Sequence, residues 1–211
     1  SPFVVWHARD ADVGNFLHAH AQTALTALIR RAEQTFEHNG APGAELFKVH
    51  MIRNVLIVLL MAYFMTMNMT VERAYCAAPL ARGDTGFLIS ETIDFCEKAN
   101  PLFLARPRWM QIATCMSAYG MFPFYALIAI AAITDAWASL RFLLLPFLGA
   151  KLNAILFYHL MEFTSDTPPP NLVLYFGVEA PYLLSIGLVF SKLVSGGKAK
   201  ANHTWKRGKL N

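Results

Sequence analysis

The chain has 211 residues, of which 55% are hydrophobic and only 15% are charged. Soluble domains usually carry about 25% charged residues, so this composition argues against an ordinary soluble enzyme and favours contact with lipid. The formal net charge is +4, and six basic residues with no acidic residue lie in the last twenty positions. A tail of this kind can bind nucleic acid, but directly after an apolar span it favours the positive side of a membrane. We therefore predict no nucleic-acid partner.

The first fifty residues form a segment of their own. Residues 1–11 are predicted to be an extended arm. From Asp12 to Phe36, apolar residues recur every three or four positions, which predicts an amphipathic helix that stops at Asn39-Gly40. This helix either lies on a membrane surface or packs against a partner protein, and its mixed charges favour the partner. His18 and His20 diverge by about 200° on a helix, so they cannot share a metal ion unaided.

Four apolar stretches are each long enough to cross a hydrocarbon layer of about 30 Å. They cover residues 48–71, 106–134, 142–163 and 172–190. The last two are joined by a polar hinge that ends in Pro168-Pro169-Pro170, which cannot continue a helix. Pro123 should kink the second stretch. The predicted fold is all-α: an integral membrane bundle of four transmembrane helices over residues 51–193, followed by a basic tail at 194–211.

The longest connection, residues 72–106, contains turn signals and one short predicted helix over 90–97. Cys76 and Cys96 both lie in this connection. They form either one disulfide in an oxidising compartment or two free thiols. No set of histidine, cysteine or acidic residues has metal-ligand spacing, and no glycine-rich phosphate loop occurs. The sequence thus predicts neither a metal nor a cofactor.

An even number of spans places both termini on one side of the membrane. That side carries nine basic residues near the spans and the other side carries five. The excess predicts that the termini face the cytosol or the mitochondrial matrix. The chain begins at Ser1 rather than Met, which either removal of a targeting peptide or a different chain boundary explains.

Four short motifs occur in order along the spans: Asn100-Pro101-Leu102, Pro107-Arg108-Trp109, Phe122-Pro123-Phe124-Tyr125 and Val178-Glu179-Ala180-Pro181-Tyr182. Together with the four-helix plan they resemble the EXPERA domain, the membrane domain of the sigma-2 receptor and the emopamil-binding sterol isomerase. The likeness covers residues 54–193. In that family, acidic and histidine side chains in a cavity hold a cationic ligand or move a proton on a sterol.

The resemblance implies that the ligand-binding acids have been replaced here. Asn100 stands where the sigma-2 branch has an acid before Pro-Leu, and Ser117 stands near the other acidic position. An amide or hydroxyl can neither neutralise an ammonium nor shuttle a proton near neutral pH. Among the ionisable residues within the spans, pairing of Glu179 with Lys151 or with a neighbouring helix, and of His159 with Glu162, is favoured over a catalytic site. The pocket candidates are Asn100, Ser117, Tyr119, His159, Glu162, Glu179 and Tyr182, and no catalytic residue is assigned.

Two functions fit these expectations. The preferred one is a non-catalytic accessory subunit of a large mitochondrial inner-membrane complex, either a respiratory-chain complex or, less favoured, ATP synthase. It would contact other subunits and membrane lipids such as cardiolipin or a sterol, with basic tail residues at the membrane surface (Lys198, Lys200, Lys206, Arg207 and Lys209). The alternative is a sterol isomerase or sterol-binding protein of the endoplasmic reticulum. A channel or transporter is not supported, because no inverted repeat is visible.

Overall fold

The computed structural model describes the backbone of residues 41–208 and the side chains of residues 48–195. The predicted arm and amphipathic helix, with His18 and His20, lie outside the described residues, as do the side chains of the basic tail. By their contacts the residues divide into two units, Ser1–Val55 and Leu56–Asn211. Of the first unit, the structure describes only the beginning of a helix.

Between residues 41 and 208 the regular secondary structure is entirely helical. In chain order the elements are α1 (Ala41–Met67), the π-helical turn π1 (Asn68–Glu72), α2 (Arg73–Ala77), α3 (Ile89–Ala99), α4 (Pro101–Ala105), α5 (Arg108–Met116), the π-helical turn π2 (Ser117–Met121), α6 (Phe122–Thr134), α7 (Trp137–Phe163) and α8 (Leu172–Gly208). This order confirms the predicted all-α fold.

Four segments are long and apolar enough to cross a membrane, which confirms the predicted number of transmembrane helices. They are span 1 (Lys48–Ala77), span 2 (Arg108–Thr134), span 3 (Trp137–Phe163) and span 4 (Leu172–Ser195). Three predicted boundaries are wrong by five or six residues. Span 1 continues six residues beyond Val71, and span 3 begins five residues before Phe142. Span 4 continues five residues beyond Phe190. In each case the helix extends through residues that are too polar or too close to a turn for hydropathy to assign.

The two π-helical turns lie opposite each other on spans 1 and 2. The side chain of Asn68 donates a hydrogen bond of 2.7 Å from Nδ2 to the backbone carbonyl of Ser117, so π1 is tied directly to π2. Pro123 follows π2 and has no amide hydrogen, so one carbonyl of the preceding turn lacks its usual donor. A wider turn at that point is the local response to this proline, and turns of this type are often found at functional sites.

The connection between spans 1 and 2 forms a helical cap, α3 and α4, over one end of the bundle. The short helix predicted at 90–97 is present as Ile89–Ala99, and Pro101–Ala105 is an additional helix. Arg106, in the left-handed region at φ 52°, donates from its guanidinium to the carbonyl oxygens of Tyr75 and Cys76. These bonds satisfy the last carbonyls of span 1 and fix the cap to it.

The packed core fills the half of the bundle away from the cap. It is made of aliphatic and aromatic side chains from all four spans: Ile57, Met61, Phe64, Tyr125, Ile128, Ala131, Ala132, Trp137, Leu144, Phe147, Leu148, Val189 and Leu193. Phe124 and Phe147 stack with ring centroids 4.3 Å apart. A cavity lies in the other half of the bundle, beneath the cap.

Candidate functional site

A cavity of about 360 Å³ lies between the four spans and the cap. Each of the four spans contributes side chains to its wall, and α3 of the cap lies above it. The lining residues are Tyr63, Met67, Val71, Glu72, Leu88, Glu91, Thr92, Phe95, Cys96, Phe103, Ala113, Thr114, Ser117, Met121, Tyr125, Lys151, Ala154, Ile155, Tyr158, Val178, Glu179 and Tyr182. The volume is within the range of small-molecule sites. Apolar side chains form most of the wall.

Lys151 lies at the deep end of the cavity and is surrounded by aromatic rings. Its Nζ atom is 4.3 Å from the ring centroid of Phe64, 4.6 Å from that of Tyr125 and 5.7 Å from that of Tyr182. Nζ also donates a 3.2 Å hydrogen bond to Oγ of Ser185. We call Phe64, Tyr125 and Tyr182 the aromatic cage. A cationic ammonium is stabilised by the negative faces of such rings.

Two carboxylates, Glu72 and Glu179, share the cavity with Lys151. Glu72 belongs to π1, which keeps it within span 1, and its Oε2 atom is buried without a hydrogen-bond partner. The predicted pairing of Glu179 with Lys151 is wrong, because among the described residues no carboxylate lies within 4.0 Å of the Lys151 ammonium. Ser117, where the resemblance implies that an acid has been replaced, lines the cavity, and the cavity contains other acids. Glu72 comes from span 1, Glu179 from span 4 and Glu91 from α3 of the cap.

The cavity reaches the protein surface beside the cap. Leu88, Glu91, Thr92 and Phe95 of the cap belong to the cavity wall, and Glu91 is exposed. We call these four residues the mouth. Leu88 precedes α3 in the left-handed region at φ 65°, which turns the chain so that the first residues of α3 face the cavity. The mouth combines apolar side chains with a carboxylate at the surface, so both water and an amphipathic molecule can reach it.

A buried polar network adjoins the cavity on the cap side. The hydroxyl of Tyr175 donates a hydrogen bond to Oε2 of Glu162 and lies 2.7 Å from Nδ1 of His159. Asn100 donates from Nδ2 to the hydroxyl of Tyr158 over 2.7 Å. Asn100 and Tyr158 are also close enough to the Glu162 carboxylate to interact with it. Glu162 is fully buried, so it belongs to the interior and does not reach the membrane interface through the hinge.

The seven predicted pocket residues fall into three groups. Ser117, Glu179 and Tyr182 line the cavity, whereas Asn100, His159 and Glu162 belong to the adjoining network. His159 and Glu162 share the face predicted from their spacing, and Tyr175 joins them. The prediction for Tyr119 is wrong: this side chain is 61% exposed and packs under the guanidinium of Arg73 at 5.2 Å from the ring centroid.

The cysteines pair differently from the expectation. Cys76 is bonded to Cys115, 39 residues later, and Cys96 is a buried free thiol. Both the predicted Cys76–Cys96 bridge and the alternative of free thiols at Cys76 and Cys96 are therefore wrong. The observed bridge joins the cap ends of spans 1 and 2, close to the two π-helical turns. Burial raises the pKa of the Cys96 thiol to about 12, and the carboxylates of Glu162 and Glu179 add to this effect.

The arrangement can therefore hold an elongated apolar molecule and offer it polar groups at both ends. Carboxyl groups, a lysine and several tyrosine hydroxyls from all four spans can donate or accept hydrogen bonds in the cavity. Within the described residues, no group of three or more histidine, cysteine or acidic side chains is placed to hold a metal ion. Comparisons of the chain with models of protein families, with curated proteins and with solved structures gave no match.

Proposed function

We propose that this chain is a multi-pass membrane protein that binds a largely apolar lipid of sterol size in the cavity between its four spans. The observation that carries the proposal is the cavity itself: a volume of about 360 Å³ beneath the cap, walled mainly by apolar side chains and open at the mouth. An apolar ligand in such a space gains the burial of its surface, and the few polar groups orient it. The resemblance to the EXPERA domain supports the same class of ligand.

The experiment compares two variants that carry the same substitution on span 3. Ala154→Phe places a ring in the cavity wall, whereas Ala150→Phe places it one helical turn earlier, at an exposed position outside the cavity. Binding of radiolabelled cholesterol to the purified full chain in nanodiscs should fall at least tenfold for Ala154→Phe and stay within twofold for Ala150→Phe. Equal binding by both variants, or absence of binding by the unmodified chain, would refute the proposal.

A second candidate function is isomerisation of a sterol double bond, which Glu72 and Glu179 favour. Such a reaction needs one group that protonates a carbon and another that removes a proton from a neighbouring carbon. Two carboxylates in an apolar cavity are suitable groups. Expression in a strain that lacks sterol isomerase tests this function. Growth that is rescued by the chain, and lost on Glu72→Gln or Glu179→Gln with the protein level unchanged, would establish catalysis. Absence of rescue leaves binding without catalysis.

We further propose that the chain is an accessory subunit of a mitochondrial inner-membrane complex, with both termini on the matrix side. The excess of basic residues on the side of the termini supports this orientation. The Cys76–Cys115 bridge at the opposite ends of the spans supports an oxidising compartment there, which suits the intermembrane space and equally the lumen of the endoplasmic reticulum. After mild detergent extraction the chain should migrate with a large complex on a native gel. A free 23.5 kDa species would contradict this proposal.

A further inference from the structure

The aromatic cage is built by the whole bundle around a single ammonium group. Phe64 comes from span 1, Tyr125 from span 2 and Tyr182 from span 4, while Lys151 extends from span 3. Both Lys151 and Tyr125 are almost completely buried, at 3% and 1% exposure. The three rings come from three separate helices, so a local sequence pattern does not bring them around the lysine. Their convergence is a property of the tertiary structure.

The surroundings of Lys151 are those that proteins use to bind a ligand cation. Aromatic faces within about 6 Å attract an ammonium, and Glu72 and Glu179 place two carboxyl groups in the same cavity. Tyr125, Tyr182 and both carboxylates belong to the cavity wall and are therefore available to a ligand. A hydrophobic amine that entered the cavity would need the same rings that Lys151 already contacts.

We propose that Lys151 acts as a tethered cation that fills the aromatic cage, so that the cavity selects lipids with an uncharged polar group over hydrophobic amines. This inference rests on the proposed binding of a lipid in the cavity. The covalently attached ammonium of Lys151 competes with a ligand amine for the aromatic cage at a high effective concentration, because its position is fixed by the backbone. A hydroxyl, by contrast, is not displaced by the lysine and can accept a hydrogen bond from its Nζ atom.

Removing the tethered charge should reverse this selectivity. Lys151→Met keeps a side chain of similar length and empties the cage of its cation. Glu72 and Glu179 then remain in the cavity without a neighbouring positive charge, and a ligand ammonium can take the place of the lysine. Lys151→Arg is the matched control, because it retains the charge at the same position.

The test uses two probes that differ only in their polar group, cholestanol and 3β-dimethylaminocholestane. Binding of each is measured to the purified full chain in nanodiscs. The unmodified chain should bind cholestanol at least tenfold more tightly than the amine. Lys151→Met should bind the amine at least tenfold more tightly than the unmodified chain does, while Lys151→Arg should retain the original preference.

Each outcome of the binding measurements either supports or overturns the proposed role of Lys151. A preference of the unmodified chain for the amine overturns the inference, and this measurement holds even if Lys151→Met fails to fold. Unchanged amine binding by a folded Lys151→Met overturns it as well. If the unmodified chain binds neither probe, the proposed lipid-binding function fails and the inference fails with it. If it binds both probes equally, lipid binding stands and the selectivity role of Lys151 is refuted.

Discussion

The buried hydrogen bond between Tyr175 and Glu162 should be a large contributor to the stability of the cap side of the bundle. Glu162 is fully buried, and its Oε1 atom has no hydrogen-bond partner. The Tyr175 hydroxyl therefore gives this carboxylate one of its few donors, and it also contacts Nδ1 of His159. Tyr175→Phe removes the hydroxyl, leaves the ring packing in place, and leaves Glu162 and His159 without this partner.

The size of the effect follows from the type of bond. Hydrogen bonds to charged groups contribute about 1.5–3 kcal/mol, and interhelical polar contacts in membrane proteins reach about 1.7 kcal/mol. We therefore expect Tyr175→Phe to lower the free energy of unfolding by about 2 kcal/mol. For a chain of this length that corresponds to a decrease in Tm of about 4–8 °C. Thermal unfolding in mild detergent, followed by circular dichroism, measures the shift.

Tyr119→Phe is the matched control for this prediction. Its side chain is 61% exposed, so loss of the hydroxyl should change stability by less than about 0.5 kcal/mol. Adding Glu162→Met to Tyr175→Phe should recover part of the lost stability, because the buried carboxylate is removed together with its donor. Equal Tm values for Tyr175→Phe and Tyr119→Phe would refute the assigned role of the Tyr175 hydroxyl.

Three further predictions concern the Cys76–Cys115 disulfide, the buried thiol of Cys96 and the hydrogen bond from Asn68 to Ser117. Cys115→Ser should lower the free energy of unfolding by up to about 4 kcal/mol on the chain-entropy model, because the disulfide closes a loop of 39 residues. Alkylation of Cys76 and Cys115 without reductant, detected in a mass-tagging assay, would contradict the disulfide itself. The pKa of the Cys96 thiol is raised to about 12. At pH 8, iodoacetamide should therefore alkylate Cys96 at least about 100-fold more slowly in the folded chain than in the unfolded chain. The alkylation rate should rise as the pH is increased towards 10. Mass spectrometry follows this reaction, and equal rates in the two states would refute the burial of the thiol. Asn68→Ala should destabilise by about 1–3 kcal/mol, because it leaves the Ser117 carbonyl without its donor; unfolding in detergent measures this, and an effect no larger than that of Tyr119→Phe would contradict it.

The four spans could be predicted from the sequence because length and hydropathy are properties of consecutive residues. The cavity could not be predicted in the same way. Glu72 looks like the first residue of a polar connection, yet it lies in a π-helical turn inside span 1. Sequence patterns that identify an α-helix do not reveal a local widening of the helix. Hydropathy therefore assigns Glu72 to the connection after span 1 and gives no indication that it lines a cavity.

Other site residues carried a usable signal. Lys151 stands alone in the middle of an apolar span, and an ionisable residue at that depth usually has a specific environment. Tyr119 could have been excluded, because it is two residues from Ser117 and side chains two apart on a helix point about 200° apart. The cage itself gave no signal, since its rings lie at positions 64, 125 and 182 and meet only through the packing of separate spans.

The distribution of polar groups determines from which side the cavity is filled. The core residues occupy the half of the bundle away from the cap, whereas Glu72, Glu162 and Glu179 lie in the half beneath it, with Lys151 at the boundary. Beyond that boundary the spans pack side chain against side chain, so a ligand cannot pass through the bundle. In the proposed lipid complex, a ligand that enters at the mouth advances until it meets the aromatic cage. On this proposal the apolar body of the ligand lies along the cavity wall, and the group that reaches Lys151 decides whether binding is favourable.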